Sequence, residues 1–365
     1  MGESILITGG AGFIGSHLAD RLLAAGHRVR ALDNLTPQVH GQARRPDYLA
    51  ADVELMTGDV RDPDAVRRAL DGIDSVVHLA ARVGVGQSMY EIANYTNENS
   101  GGTATLLEGL LDRPVRKLVV ASSMSIYGEG LYEPVQPVPR TREQLERDDW
   151  EPHGPGGEEL RPVPTPESKP PELASVYALT KYDQERLSLV FGQAYGIPTV
   201  ALRLFNVYGT RQALSNPYTG VLAIFASRLL NGHPPLVFED GNQRRDFVSV
   251  HDIARAFELA LERDGADGLA VNVGSGESVS VLEIADRLAR TLGKDVRPEI
   301  TGKYRVGDIR HCFADVSLAR ETLGFEPSRR LEDGMTEIAA WLETQVATDH
   351  ADRAQEELRA RGLTL

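Results

Sequence analysis

The chain predicts an α/β fold, a doubly wound parallel sheet with helices on both faces and a smaller mixed α/β domain beside it. Three observations carry this. Short apolar runs recur at residues 4–8, 29–33, 53–56, 75–81 and 117–123, as strands buried between two helical layers require. Helical patterns alternate with them, through Leu18, Leu22 and Leu23, from Asp62 to Leu70 and from Thr103 to Leu111. The first run also leads without a break into Gly9-Gly10-Ala11-Gly12-Phe13-Ile14-Gly15.

Taken in order, the glycines at 9, 12 and 15 suit a tight turn, close backbone approach to a pyrophosphate and close packing of helix on strand, with the helix N-terminus facing the phosphates. A glycine triplet alone also fits an ordinary turn. The second strand ends in Asp33, at about the distance where an acid binds the ribose hydroxyls of an adenosine half, and Asn34 follows it. A carboxylate there repels a 2′-phosphate and favours NAD over NADP, although an Asp is equally at home as a helix cap or turn residue. Gly58-Asp59-Val60 follows the third strand, and the fourth ends in Leu79-Ala80-Ala81, whose small residues let a cofactor lie across the strand ends. These residues make a Rossmann-type NAD site. The fifth strand closes on the hydroxyls Ser122 and Ser123, at the carboxyl edge where open α/β sheets bind ligands.

Tyr177-Ala-Leu-Thr-Lys181 places a phenol and an ammonium four residues apart, on one face of a helix with about 3.6 residues per turn. A free tyrosine titrates at about pH 10, so it becomes a base near neutral pH only when a neighbouring cation stabilises the phenolate. Lys181 stands where that cation is needed. On its own the pair is a common helix-surface pattern.

The glycine turn, Ser122-Ser123-Met124-Ser125-Ile126-Tyr127-Gly128 and Tyr177-x-x-x-Lys181, in this order, resemble the extended short-chain dehydrogenase/reductase family, specifically its NAD-dependent nucleotide-sugar epimerases and dehydratases. The resemblance runs over residues 4–340. It implies Tyr177 as acid/base, Lys181 as the group that lowers its pKa and holds the nicotinamide ribose, and Ser123 as the hydroxyl that aligns the sugar. It adds Asn99 near the cofactor, and Val83, Ser125, Asn206, Phe238, Arg245, Arg305 and Asp308 toward the nucleotide sugar. Arg245 with Asp308 also reads as a structural ion pair, and Phe238 as plain core. In the family these domains are expected at residues 1–207, with strands near 247–275 rejoining the sheet, and at 208–246 with 276–342 for the substrate.

Relatives that eliminate water carry an Asp-Glu pair directly after the strand-end hydroxyl, because elimination needs an additional acid and base. Here Met124-Ser125 stands instead. One tyrosine with a regenerated NAD suffices for C4 epimerisation through a 4-keto sugar. A proline-rich insertion, residues 130–173, resembles that of the family's dTDP-L-rhamnose 4-epimerases. Where some of these carry a Cys-Pro-x-Cys pair, this chain has Gly154-Pro155-Gly156-Gly157, so no metal is implied. The insertion reads as an irregular surface segment, a flap or a disordered spacer, with His153 solvent-exposed. A UDP-sugar 4-epimerase (UDP-galactose or UDP-glucuronate), a 4-ketoreductase and a catalytically silent NAD-binding protein remain the alternatives.

Composition bounds the rest. With 39 Lys and Arg against 53 Asp and Glu, the net charge of −14 argues against nucleic-acid or anionic-membrane binding. Cys312 is the only cysteine, which rules out an intrachain disulfide and fits a reducing cytoplasm. No run of apolar residues is long enough to span a membrane, and the N-terminal residues do not read as an export signal. The resemblance implies a nucleotide sugar and a second copy of the chain as partners, the homodimer pairing through the helices after Gly101 and Tyr177. Residues 343–365 read as a polar helical tail, a peripheral helix or a frayed end.

Overall fold

A computed structural model describes residues 2–305 and 308–364. Seven parallel strands form the central sheet: β1 (Ser4–Thr8), β2 (Arg28–Asp33), β3 (Glu54–Thr57), β4 (Ser75–His78), β5 (Lys117–Ser123), β6 (Thr199–Leu204) and β7 (Ala270–Val273). Their order is β7-β6-β5-β4-β1-β2-β3, so the chain reverses direction across the sheet between β1 and β4 and opens a crevice at their carboxyl ends. Alternate residues feed two layers. Ile5 and Ile7 of β1 pack with Leu18, Val119, Leu202 and Phe257 on one side, and Leu6 packs with Val66, Leu106, Leu110 and Phe191 on the other.

The helices begin and end on local signals. Helix α1 (Phe13–Ala24) starts at extended Gly12, and Gly26, at φ +86, turns the chain back toward β2. Asp62 caps α2 (Pro63–Ala69) through its carboxylate, with Pro63 in the first turn. A π-helical turn, Thr96–Gly101, leads into α3 (Gly102–Asp112). Helix α4 (Val176–Tyr195) is capped by Ser175, whose hydroxyl accepts from Ala178 N at 3.1 Å, and it ends at left-handed Gly196. Helix α5 (Val250–Glu262) packs against α1 over the sheet.

Residues 75–81 are strand only as far as His78, because Leu79 N and Ala80 N turn to the Thr8 carbonyl and hydroxyl. Phe247–Ser249 does not join the main sheet as expected. It pairs with Asn206–Tyr208 in a separate two-stranded sheet, and only β7 rejoins, against β6. A second apolar cluster, including Phe225, Leu229, Val237, Ile284, Leu288 and Ile338, lies under this part of the chain.

The insertion is not a disordered spacer. Leu131–Glu133 pairs antiparallel with Arg161–Val163, a short helix spans Arg142–Leu145, and the Trp150 and Tyr304 rings lie tilted to one another, 6.2 Å between centres. What holds it is charge. The Arg310 side chain, fully buried, donates to Glu151 of the insertion at 2.6 Å, to Glu239 at 2.9 Å and to Asp240 at 2.7 Å, and Arg140 reaches Glu239 at 2.9 Å. His153 is half-exposed and pairs with Asp149. Where the insertion ends, Glu167 accepts from the backbone N–H of Asn272 in β7 at 2.7 Å, and the Asn272 amide donates to the Thr165 carbonyl.

Residues 351–360 form helix α6 (Ala351–Ala360). Its apolar side buries Ala354 and Leu358, the latter against Gly86, while Glu357 accepts from the hydroxyls of Tyr90 and Tyr218. The tail is thus anchored rather than frayed. Among the described residues, no helix is long and apolar enough to cross a membrane.

Candidate active site

The crevice at the switch point is a cleft of about 340 Å³. Gly9, Gly12, Phe13, Ile14 and Gly15 form its floor, Asp33, Asn34, Asp59 and Val60 one end, and Leu79, Ala80, Ala81 and Val83 the middle; Ser123, Tyr177 and Lys181 form the other end. Gly9 stands at φ +70, and a side chain on Gly15 would meet Gly9 O at 2.5 Å, so neither position takes a larger residue without moving the turn. Asp33 is buried and accepts from Ala11 N and Leu35 N, one bond on each carboxylate oxygen, which leaves acceptor capacity facing the cleft. The Arg61 side chain and the Asn34 amide hold Asp59 at about pKa 2, as a carboxylate. A glycine floor that admits a phosphate backbone and an acid at the ribose position fit NAD, with Gly9, Gly12, Gly15 and Asp33 as its first holders.

The reacting end is built by α4 meeting the end of β5. Burial pushes the Tyr177 phenol up, against a hydrogen bond from Ser123 that pulls it down. Burial also lowers Lys181 to about 7, against the pull of Glu185, so its charge changes within the neutral range. The Ser88 hydroxyl accepts from Tyr177 N at 3.0 Å, and the Tyr95 ring meets the Tyr177 ring edge-on at 6.5 Å.

Seven of the expected contacts do not line this cleft: Asn99, Ser125, Asn206, Phe238, Arg245, Arg305 and Asp308. Asn99 is wholly buried behind the wall, where its side chain bonds both backbone groups of Arg82 and the Thr180 hydroxyl; it reaches a ligand only through the loop it fixes. Ser125 does not line this cleft, and its N–H donates to Ser123 Oγ at 3.2 Å. Asn206 sits beside the lining residues Phe205 and Val207, with a buried side-chain oxygen that has no partner among the described residues. Phe238, Arg245, Arg305 and Asp308 pair with one another off the cleft. The Arg305 guanidinium lies 4.1 Å from the Phe238 ring centre, and Arg245 approaches Asp308 at 3.6 Å while donating to the carbonyls of Ile309 and Arg310. An adjoining cavity of about 780 Å³ lies between the short helix Pro37–His40, Tyr90, residues 212–218 and helix α6.

Sequence reading missed several lining residues: Gln38 and His40, in the short helix Pro37–His40 that follows Asp33, and Arg82, whose guanidinium is clamped by Glu91 and Glu98. The position of Gln38 and His40 just past the ribose acid was the available signal. Nothing local marked Arg82.

Residues 5–274 match the model of the NAD dependent epimerase/dehydratase family. The chain belongs to this family. It is 37% identical over 352 residues to the dTDP-L-rhamnose 4-epimerase of Burkholderia thailandensis, an alignment covering 93% of this chain and 95% of that protein. Its structure is similar to the UDP-glucose 4-epimerase of Thermotoga maritima with UDP-glucose, with a TM-score of 0.78, 31% identity, and coverage of 93% of this chain and 98% of that one. The Thermus thermophilus UDP-glucose 4-epimerase in complex with NAD gives a TM-score of 0.76 and 31% identity, covering 94% of this chain and 100% of that one. Membership of this family makes the protein an NAD-dependent enzyme.

Proposed function

We propose that the protein epimerises a nucleotide-diphosphate sugar at C4, with dTDP-L-rhamnose and dTDP-6-deoxy-L-talose as the interconverted pair. The observation that carries the C4 chemistry is a lone tyrosine at the reacting end, beside Ser123 and Lys181, with buried Met124 where elimination needs a carboxylate. Tyr177 takes the proton of the C4 hydroxyl and later returns it, while Ser123 holds the same hydroxyl in line. Lys181 carries positive charge toward the phenolate and the nicotinamide ribose. When bound, NAD supplies a hydride acceptor that gives the hydride back to the other face of the 4-keto sugar. Asn206, donating through its side-chain NH2, and the group of Phe238, Arg245, Arg305 and Asp308 are the residues this reading assigns to the nucleotide diphosphate. The thymidine diphosphate assignment is supported by the 37% identity to the Burkholderia enzyme and by the insertion.

A second reading keeps the chemistry and changes the nucleotide to UDP, supported by the likeness to the Thermotoga enzyme with UDP-glucose. Purified enzyme incubated with each nucleotide sugar, with the C4 epimer read by proton NMR, separates the two. The expected result is turnover of dTDP-L-rhamnose, and no turnover of it defeats the leading assignment. Tyr177→Phe is expected to lower turnover on the order of a hundred- to ten-thousand-fold while NAD stays bound. A homodimer belongs to the same reading. Leu179 and Val190 on α4 and Ile92 nearby are each more than half exposed, and Val190→Glu is expected to give monomers in sedimentation velocity.

A further inference from the structure

One buried side chain next to the reacting pair has no part in the chemistry proposed so far. Gln184 lies one turn beyond Lys181 on α4, 1% exposed, and its amide oxygen accepts from the Lys181 ammonium at 2.6 Å. Its amide nitrogen faces the Thr103 hydroxyl of α3 at 2.8 Å, the Ala80 carbonyl at 3.3 Å and His78 Nε2 at 3.2 Å.

One proton arrangement satisfies these groups together. Thr103 donates to the Asn99 carbonyl at 2.7 Å, so its oxygen is left to accept. Thr8 accepts from Ala80 N and donates to His78 Nδ1 at 2.7 Å, which puts the imidazole proton on Nε2, facing Thr103 Oγ1 at 2.9 Å. His78 is fully buried, and burial with the nearby Lys181 charge lowers it to about 3, so it stays neutral. The Gln184 NH2 then donates to Thr103 Oγ1 and the Ala80 carbonyl, and only its oxygen can face the ammonium.

We propose that Gln184 is a positioning residue for the acid/base pair: anchored on Thr103 and on Ala80 of the cofactor cleft, its amide oxygen holds the Lys181 ammonium in register with Tyr177. This rests on the reading of Tyr177 and Lys181 as that pair. A buried ammonium without an acceptor loses its proton or swings away, and either event weakens the field that stabilises the phenolate. The titratable groups around Lys181 are Tyr177 and Glu185 on its own helix and His78 on β4; Glu185 is committed to Arg203 and the Ser122 hydroxyl, and His78 is neutral. Gln184 is therefore the acceptor that meets the charge directly.

The test uses the NAD-loaded enzyme and two variants, Gln184→Met, which keeps the volume and removes the acceptor, and Thr103→Val, which keeps the acceptor and removes its anchor. Tyrosinate absorbance, taken as the difference from Tyr177→Phe, reports the phenol midpoint without any substrate. Gln184→Met is expected to raise that midpoint by about one pH unit, to move the acid limb of the kcat profile upward with it, and to lower kcat at neutral pH on the order of ten- to a hundred-fold, with KM and NAD content unchanged. Thr103→Val shifts the midpoint the same way by less. If Gln184→Met does not fold, an unmoved midpoint in Thr103→Val overturns the proposal, and a folded Gln184→Met with wild-type midpoint and profile overturns it outright. A wild-type enzyme that turns over no nucleotide sugar defeats the functional reading instead, and the tyrosinate titration still judges Gln184.

Discussion

The glycine-floored cleft and the insertion are held in opposite ways. The glycine-floored cleft is made largely of backbone: a glycine turn, a helix N-terminus and Asp33 held by the N–H groups of Ala11 and Leu35, all within residues 8–35. The insertion is held by long charged side chains from distant parts of the chain, with Arg310 buried among Glu151, Glu239 and Asp240, and Arg140 beside them. A backbone site fails when a side chain intrudes on it. A charged clasp fails when one partner is removed, because the desolvated charges left behind have nowhere to go.

That contrast can be broken from either side. The largest effect is expected from Arg310→Met, which leaves buried Glu239 facing Arg140 alone; stability should fall by about 3–5 kcal/mol in urea unfolding. A loss below 1 kcal/mol would mean that the clasp is ornamental. Next comes Gly15→Ala, whose added carbon meets Gly9 O and Gly10 Cα; the strain of about 1–3 kcal/mol should release NAD on gel filtration while the insertion stays in place. Retention of full NAD content would show that the turn yields.

The mildest break is acid. Burial works against the Glu151 carboxylate, but His311 and Arg310 outweigh it and hold Glu151 at about 2; Asp240, likewise pushed up by burial, is held at about 2 by Arg310 and the Asn242 groups. Both pKa values are depressed on folding, so their contribution is present above the ordinary carboxylate range and is lost as pH falls from about 4 toward 2. Trp150 fluorescence in a Trp341→Phe background should change across that window, ahead of the release of NAD. A single transition common to both signals would unite the two regions.

The same contrast explains what was legible in the sequence. The alternation of strands and helices, the glycine turn, Asp33 and the Tyr177–Lys181 spacing are local, since each depends on residues within a few turns of one another. Gln184 was local too, but an amide carries no motif weight until its partners on β4 and α3 are in place. The clasp could not be read, because Arg310 and Glu151 lie far apart in the chain and their pairing is fixed only by the fold. Asn99 was placed near the cofactor by resemblance, and the π-helical turn that carries it points its amide into the wall instead. The proline-rich composition of residues 130–173 was read as looseness, whereas its few charged and aromatic residues anchor it.

The bond from Glu167 to the backbone of Asn272 has a consequence for solubility. Strand β7 is an edge of the seven-stranded sheet, and an open edge is a template for pairing with another chain. The end of the insertion occupies that edge, meeting the Asn272 N–H with a carboxylate and the Asn272 amide with the Thr165 carbonyl. At the opposite edge, β3 is only four residues long. The segment clasped by Arg310 thus also helps keep the longest-range strand of the sheet from recruiting a stranger.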